Sequence, residues 1–113
     1  MKLKTWLRGL RVQFLTLTIV TVFLGDAVAC YMHGYVRIPE TILALIGALI
    51  AHAAVNVWND YFDYISGLDL MTKRTPFSGG SGVLPEGLLT PRSMLAAALI
   101  LTGLTALLGI YFY

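Results

Sequence analysis

The stretch Ile42-Leu-Ala-Leu-Ile-Gly-Ala-Leu-Ile-Ala51-His52-Ala-Ala-Val-Asn56-Val-Trp-Asn59-Asp60-Tyr-Phe-Asp63 begins as ten uncharged, mostly aliphatic residues and ends with amides and carboxylates at regular intervals. At 3.6 residues per turn, His52, Asn56, Asn59 and Asp63 follow the i, i+4, i+7, i+11 spacing and form one narrow polar stripe on a helix. Ala53, Ala54, Val55 and Val57 point elsewhere, and Asp60 sits on the edge of the stripe. A helix this apolar on its remaining faces belongs in a membrane, and its stripe must then face protein, water or a ligand, because ionisable groups facing lipid are costly.

The rest of the chain agrees. Of 113 residues, 58% are hydrophobic and 12% charged, about half the charged fraction usual for a soluble domain. Three apolar segments, about 12–32, 38–57 and 94–113, each approach the ~20 residues that cross ~30 Å of hydrocarbon as a helix. The basic start and first apolar run also describe a signal peptide. That run is longer than a usual signal core, however, and Ala27-Val28-Ala29 before Cys30 and Tyr31 is a weak cleavage site, so the segment reads as a retained helix. The fold class is therefore all-α integral membrane protein with three transmembrane helices. One cysteine, Cys30, allows neither a disulfide framework nor a thiolate metal cluster. A net charge of +2 is too small to suggest a nucleic-acid partner.

Lys2, Lys4, Arg8 and Arg11 precede the first span, and Lys73, Arg74 and Arg92 lie between the second span and the start of the third; His33 to Pro39, between the first two, carries only Arg37. This distribution predicts a multi-pass protein of the cytoplasmic membrane, with the N-terminus inside and Tyr113 outside. Pro39 suits a helix start, as does Thr90-Pro91, with Thr90 as N-cap. Ser66-Gly67 ends the second helix, and Pro76, Gly79, Gly80, Gly82, Pro85 and Gly87 forbid a long regular element after it. Phe77, Val83, Leu84, Leu88 and Leu89 make a solvent-bathed linker a poor reading of that stretch; a packed cytoplasmic cap, about 66–91, suits it better. Three helices enclose little, and the end at Tyr111-Phe112-Tyr113 reads as the front portion of a longer protein or as an interfacial aromatic belt.

Asp60, Asp63 and Asp69 fall within ten residues, beside Asn56 and Asn59. Such carboxylates repel one another unless a cation lies between them. Mg²⁺ prefers oxygen ligands and is commonly held jointly by protein and substrate phosphates. Lys73, Arg74 and the amides of Gly79, Gly80 and Gly82 would add positive charge and donors for an anion. The constellation suits a Mg-bound phosphate group at the membrane surface. The plainer readings are an Asn-Asp-Tyr interface with Asp60 solvated, His52 as a packing residue, and Lys73-Arg74 as a positive-inside anchor. Asp26 either faces the bundle interior or marks a helix break.

Asn59-Asp60-Tyr-Phe-Asp63-Tyr-Ile-Ser-Gly67-Leu-Asp69, followed by Arg74-Thr-Pro-Phe-Ser78-Gly-Gly-Ser-Gly82, resembles the first aspartate-rich region of the UbiA superfamily of intramembrane prenyltransferases. Within it, the chain is most similar to the menaquinone-like MenA branch, which acts on 1,4-dihydroxy-2-naphthoate. Asn59 and Asp63 match the opening Asn-x-x-x-Asp, while the next Asp falls at 69 rather than 67. The resemblance implies that the three helices are the first of a nine-helix bundle around a cavity, and that residues 1–113 are the N-terminal part of one prenyltransferase domain. It also implies a Mg²⁺-dependent transfer of a polyprenyl group from polyprenyl diphosphate to an aromatic acceptor. Carried over residue by residue, Asn59, Asp63 and Asp69 form the first Mg-diphosphate site. Asn56, Lys73, Arg74 and Ser78 are candidate diphosphate contacts, Lys73 and Arg74 by the family pattern and Ser78 as part of the cap. The second aspartate motif of the family has no counterpart here, since Glu86 is the only acidic residue after Asp69. The remaining helices of a full-length chain are thus expected partners, together with membrane lipid. Aromatic side chains such as Tyr61, Phe62, Tyr64 and Phe77 are candidates for steadying an allylic cation. Competing readings are a UbiA-like enzyme with another aromatic acceptor, and a non-catalytic truncated membrane protein that binds a lipid or a partner.

Overall fold

The computed structural model describes residues 2–68 and 80–113. A short helix, α1 (Lys2–Leu10), leads through a 3-10 turn (Val12–Phe14) into α2 (Leu15–His33); α3 (Ile38–Ile65) and α4 (Pro91–Phe112) follow. No strand occurs among the described residues. Three helical segments, Val12–His33, Ile38–Ile65 and Pro91–Phe112, are long and apolar enough to cross a membrane, so the chain is an all-α membrane protein.

The helix ends follow from local chemistry. Gly34 closes α2 in the left-handed region (φ 80°) and returns its N–H to the Cys30 carbonyl, a conformation that glycine adopts without Cβ strain. Arg37 precedes α3, with Pro39 in the first turn. Thr90 is extended and its hydroxyl accepts from the Ser93 N–H at 3.1 Å, so the Thr-Pro start signal is realised, three residues before the boundary expected at 94. The second helix likewise continues past its apolar span, drawn to about 57, to the Ser66-Gly67 stop that the sequence marks. It runs as one 28-residue helix to Ile65, about 42 Å at 1.5 Å per residue, against ~30 Å of hydrocarbon. Leaving the apolar zone does not break a helix; Ser66 and Gly67 do, and so Asn59 to Asp63 stand on a helical extension.

α3 is the centre of the fold, packed on α2, α4 and α1. Its core lies at the end that carries the aspartates, where Val57, Val83, Leu84, Met94 and Ala98 are buried together, with Trp6, Leu10, Trp58, Tyr61, Tyr64 and Leu89 against them. Val83 and Leu84 come from the glycine-rich stretch, whose described part is thus packed onto α3 and α4. Elsewhere the helices expose large aliphatic side chains such as Leu24, Leu99, Leu107 and Ile110; lipid is a suitable environment for these, water is not.

α1 is the element that the sequence did not announce as a separate helix. Arg11, at φ 55°, is the one described non-glycine residue with positive φ, a conformation that costs roughly 1 kcal/mol or more. Three contacts hold this turn. The Arg11 guanidinium lies 4.6 Å from the centre of the Phe14 ring, the Asn56 side-chain amide donates to the Leu10 carbonyl at 2.9 Å, and Gly9 lets α1 approach Val83 and Leu89.

Candidate functional site

The stripe on α3 is real, but its members have different employment. Nearest the membrane centre, His52 Nδ1 and the Thr18 hydroxyl are 2.6 Å apart, tying α3 to α2. One turn on, Asn56 is buried, with one amide hydrogen committed to the Leu10 carbonyl. That bond fixes the corner between α1 and α2, and it leaves Asn56 less able to serve a diphosphate directly than an open amide would be. Asn59 is exposed and Asp63 half-buried. No hydrogen bond within the described residues engages either side chain. They are one helical turn apart and present oxygen donors, the type a hard cation takes.

Asp60, at the edge of the stripe, is the buried acid among the described residues, at 2% exposure. Its carboxylate accepts from the backbone N–H of Ser81 at 3.3 Å and from the Ser81 hydroxyl. Gly80 and Gly82 flank Ser81 with φ of 80° and 81°, so the chain turns sharply on both sides of the residue that meets the acid. The carbonyl of Ser81 accepts from Arg8 Nε at 2.7 Å, and the same guanidinium pairs with Glu86. A continuous polar clasp therefore runs from α3 through the loop to α1. Arg11 adds positive charge near Asp60 and Asp63 adds negative charge.

Asp69, Lys73, Arg74, Ser78 and Phe77 lie outside the described residues. The structure thus brings Asn59 and Asp63 together and says nothing of the second half of the expected set. Among the described residues no three His, Cys, Asp or Glu side chains converge on a common point. Phe62 stacks on Trp58 at 5.3 Å, Tyr61 meets both edge-on, and Tyr61 and Tyr64 pack against the core. Tyr61 and Tyr64 are thus packing groups, whereas Phe62 is 56% exposed, one helical turn from Asn59.

Sequence reasoning missed three contributors: Ser81, Arg8 and Thr18. Ser81 is 21 residues from Asp60 and Arg8 is 73 from Ser81, so no local periodicity joins them. The available signal was a serine between two glycines, Gly80-Ser81-Gly82, in a loop otherwise rich in aliphatic residues. A hollow of about 300 Å³ at the opposite end of the bundle is lined in part by Asp26, His33, Arg37 and Glu40. It places Asp26 beside a cavity rather than at a helix break, since α2 continues unbroken to His33.

Residues 18–113 match the model of the UbiA prenyltransferase family. Over 107 residues the chain is 30% identical to a 1,4-dihydroxy-2-naphthoate octaprenyltransferase of Escherichia coli (strain K12), a match covering 95% of this chain and 33% of that protein. The chain thus spans about a third of the length of this relative. No solved structure gives a significant match. The family match takes in α3 with its polar stripe, the loop that holds Asp60, and α4, and the chain belongs to the UbiA prenyltransferase family.

Proposed function

We propose that the full-length protein is a Mg²⁺-dependent prenyltransferase of the cytoplasmic membrane. In this reading it moves a polyprenyl group from its diphosphate to an aromatic acceptor, 1,4-dihydroxy-2-naphthoate, in menaquinone biosynthesis. The observation that carries the reading is the pair Asn59 and Asp63, open oxygen donors on the extension of α3 beyond the apolar zone, in a chain of this family. The acceptor rests on the name of the Escherichia coli relative.

Asn59 and Asp63, with Asp69, would hold the metal, which when bound supplies positive charge to the departing diphosphate. Asp63 would contribute the formal charge that retains the cation, and Asn59 a neutral oxygen beside it. Lys73 and Arg74 would meet the diphosphate oxygens. Asp60 has no such role: its carboxylate holds Ser81, and through it the loop, against α3. A loop so fixed excludes water from the side of the site it covers, which protects an electron-deficient allylic carbon from hydrolysis. The acceptor ring attacks that carbon, forming the C–C bond as the C–O bond to diphosphate breaks, with loss of the naphthoate carboxylate as CO₂ from the ring position attacked. In this scheme the N-terminus and the loop face the cytoplasm, where a soluble acceptor and Mg²⁺ are available. One aspartate region and three spanning helices are insufficient for turnover in this account.

The test is prenyl transfer by the full-length protein in proteoliposomes, with a polyprenyl diphosphate and alternative aromatic acceptors, followed by product mass. Dihydroxynaphthoate as the preferred acceptor, with loss of CO₂, supports the reading. Preference for another aromatic acid would retain prenyl transfer and remove the menaquinone assignment. Turnover by residues 1–113 alone would overturn the division of the site between this segment and the remaining helices.

A further inference from the structure

The inner face of α1 is fully engaged with the aspartate-bearing end of the bundle. Gly9 is buried, and a Cβ added there would meet the side chains of Val83 and Leu89 at 3.6 Å and the Met94 sulfur at 4.0 Å. Trp6 and Leu10 lie against the core cluster, and Arg8 is spent on Ser81 and Glu86. The outer face is not engaged. Leu3 and Leu7, one turn apart, are 65% and 41% exposed. Lys2 and Lys4 are exposed, and neither forms an ion pair with a described residue; the described ion pairs are Arg8–Glu86 and Arg37–Glu40.

The position of this face relative to the membrane is set by the chain itself. The spanning segment begins at Val12, directly after the left-handed turn at Arg11, and α1 packs back onto α3 and the first turn of α4. α1 therefore lies at the level where the hydrocarbon ends. A short helix at that depth, with an exposed pair of leucines and an exposed lysine on either side of them, has the composition of an interfacial amphipathic segment. Lysine stems lie along apolar surface while their charges reach the headgroups.

We propose that α1 docks into the anionic headgroup layer of the leaflet on its side of the membrane. Leu3 and Leu7 enter the boundary with the acyl chains, and Lys2 and Lys4 meet the negative charges of anionic lipids. Charge complementarity selects this occupant over a further protein segment, since α1 carries two exposed lysines flanking the leucines and no acid. The division of labour among the basic residues follows: Lys2 and Lys4 address lipid, whereas Arg8 addresses the loop. This inference stands on the geometry of α1 and not on prenyl transfer, so either can fail alone.

The test uses the full-length protein with Cys30→Ser and any other native cysteines replaced, carrying a nitroxide on Leu3→Cys or Leu7→Cys. It is reconstituted in phosphatidylcholine vesicles with or without phosphatidylglycerol, and nitroxide contact with lipid-soluble oxygen and with an aqueous nickel chelate is compared. In the anionic vesicles both labels should favour oxygen. Lys2→Gln and Lys4→Gln should each shift the docked-to-undocked ratio about five-fold toward water, the change equivalent to ~1 kcal/mol per basic residue near an anionic surface. In phosphatidylcholine alone the lysine substitutions should have no such effect. Labels in water in anionic vesicles, labels shielded from both reagents by protein, or docking indifferent to lipid charge and lysines would each overturn the proposal.

Discussion

Removing the Asp60 carboxylate should unlatch the loop without touching the Asn59–Asp63 edge. The acid is 2% exposed and accepts two bonds from Ser81, one from N–H and one from the hydroxyl. A hydrogen bond to a charged group contributes ~1.5–3 kcal/mol, and a buried donor left unpaired costs ~1–3 kcal/mol. Ser81→Ala deletes the hydroxyl and keeps the N–H bond, so its expected cost is ~2 kcal/mol. Asp60→Ala strands both Ser81 donors in a buried place and should cost ~3 kcal/mol. Asp60→Asn keeps one acceptor and offers an N–H to the Ser81 oxygen, for a cost nearer ~1 kcal/mol. The double variant Asp60→Ala with Ser81→Ala should cost about the same as Asp60→Ala alone, a coupling of ~2 kcal/mol between the two sites. The assay is reversible unfolding of the full-length protein in mixed micelles, read by tryptophan fluorescence, since Trp6 and Trp58 both pack at this end of the core. Additive losses, with coupling below ~0.5 kcal/mol, would show that the clasp does not join loop to helix.

The bond between His52 and Thr18 predicts that Thr18→Val and His52→Ala each loosen α2 from α3 by ~0.6–1.7 kcal/mol, with strong non-additivity, measured by the same unfolding assay. At Gly9 an added Cβ would meet Val83 and Leu89 at an ordinary 3.6 Å. Gly9→Ala should therefore be neutral or stabilising by up to ~1 kcal/mol through helix propensity, whereas Gly9→Leu should detach α1 and expose the loop to protease. Orientation is checked with single cysteines at Leu88→Cys and Tyr35→Cys in a Cys30→Ser background, both positions being exposed. An impermeant thiol reagent on intact cells should label position 35 and spare position 88; the reverse would invert the topology.

The spanning helices were legible because hydrophobic runs and caps are local properties. The three runs, the Thr90-Pro91 start and the Ser66-Gly67 stop are visible without tertiary information. The face shared by His52, Asn56, Asn59 and Asp63 was equally legible, because helical spacing alone fixes it. What each member touches was not. Asp60 looked peripheral on the helical wheel and is the most buried of the described acids, because its partner arrives from Ser81 through a loop closure that spacing does not encode. The first four basic residues read as one orientation signal. The structure separates them: Arg8 belongs to the clasp, Arg11 to a left-handed corner, and Lys2 and Lys4 are exposed on α1. α3 outruns its apolar span because hydropathy marks where the apolar zone ends, whereas backbone chemistry, at the legible Ser66-Gly67 stop, decides where the helix ends.

The central claim is that Asp63, not its buried neighbour Asp60, carries the metal-bound diphosphate. The direct measurement is prenyl transfer by full-length Asp63→Asn and Asp60→Asn across a Mg²⁺ titration, at equal amounts of folded protein in the membrane. Asp63→Asn keeps the size of the side chain and removes the charge that would retain the cation. The account predicts a loss of ~100-fold, the scale of a lost electrostatic contact in the transition state, with more Mg²⁺ needed or no recovery. Asp60→Asn should lose clearly less and keep the parental Mg²⁺ dependence. Near-normal turnover and an unchanged Mg²⁺ midpoint for Asp63→Asn would contradict the claim and return the whole stripe to a structural role.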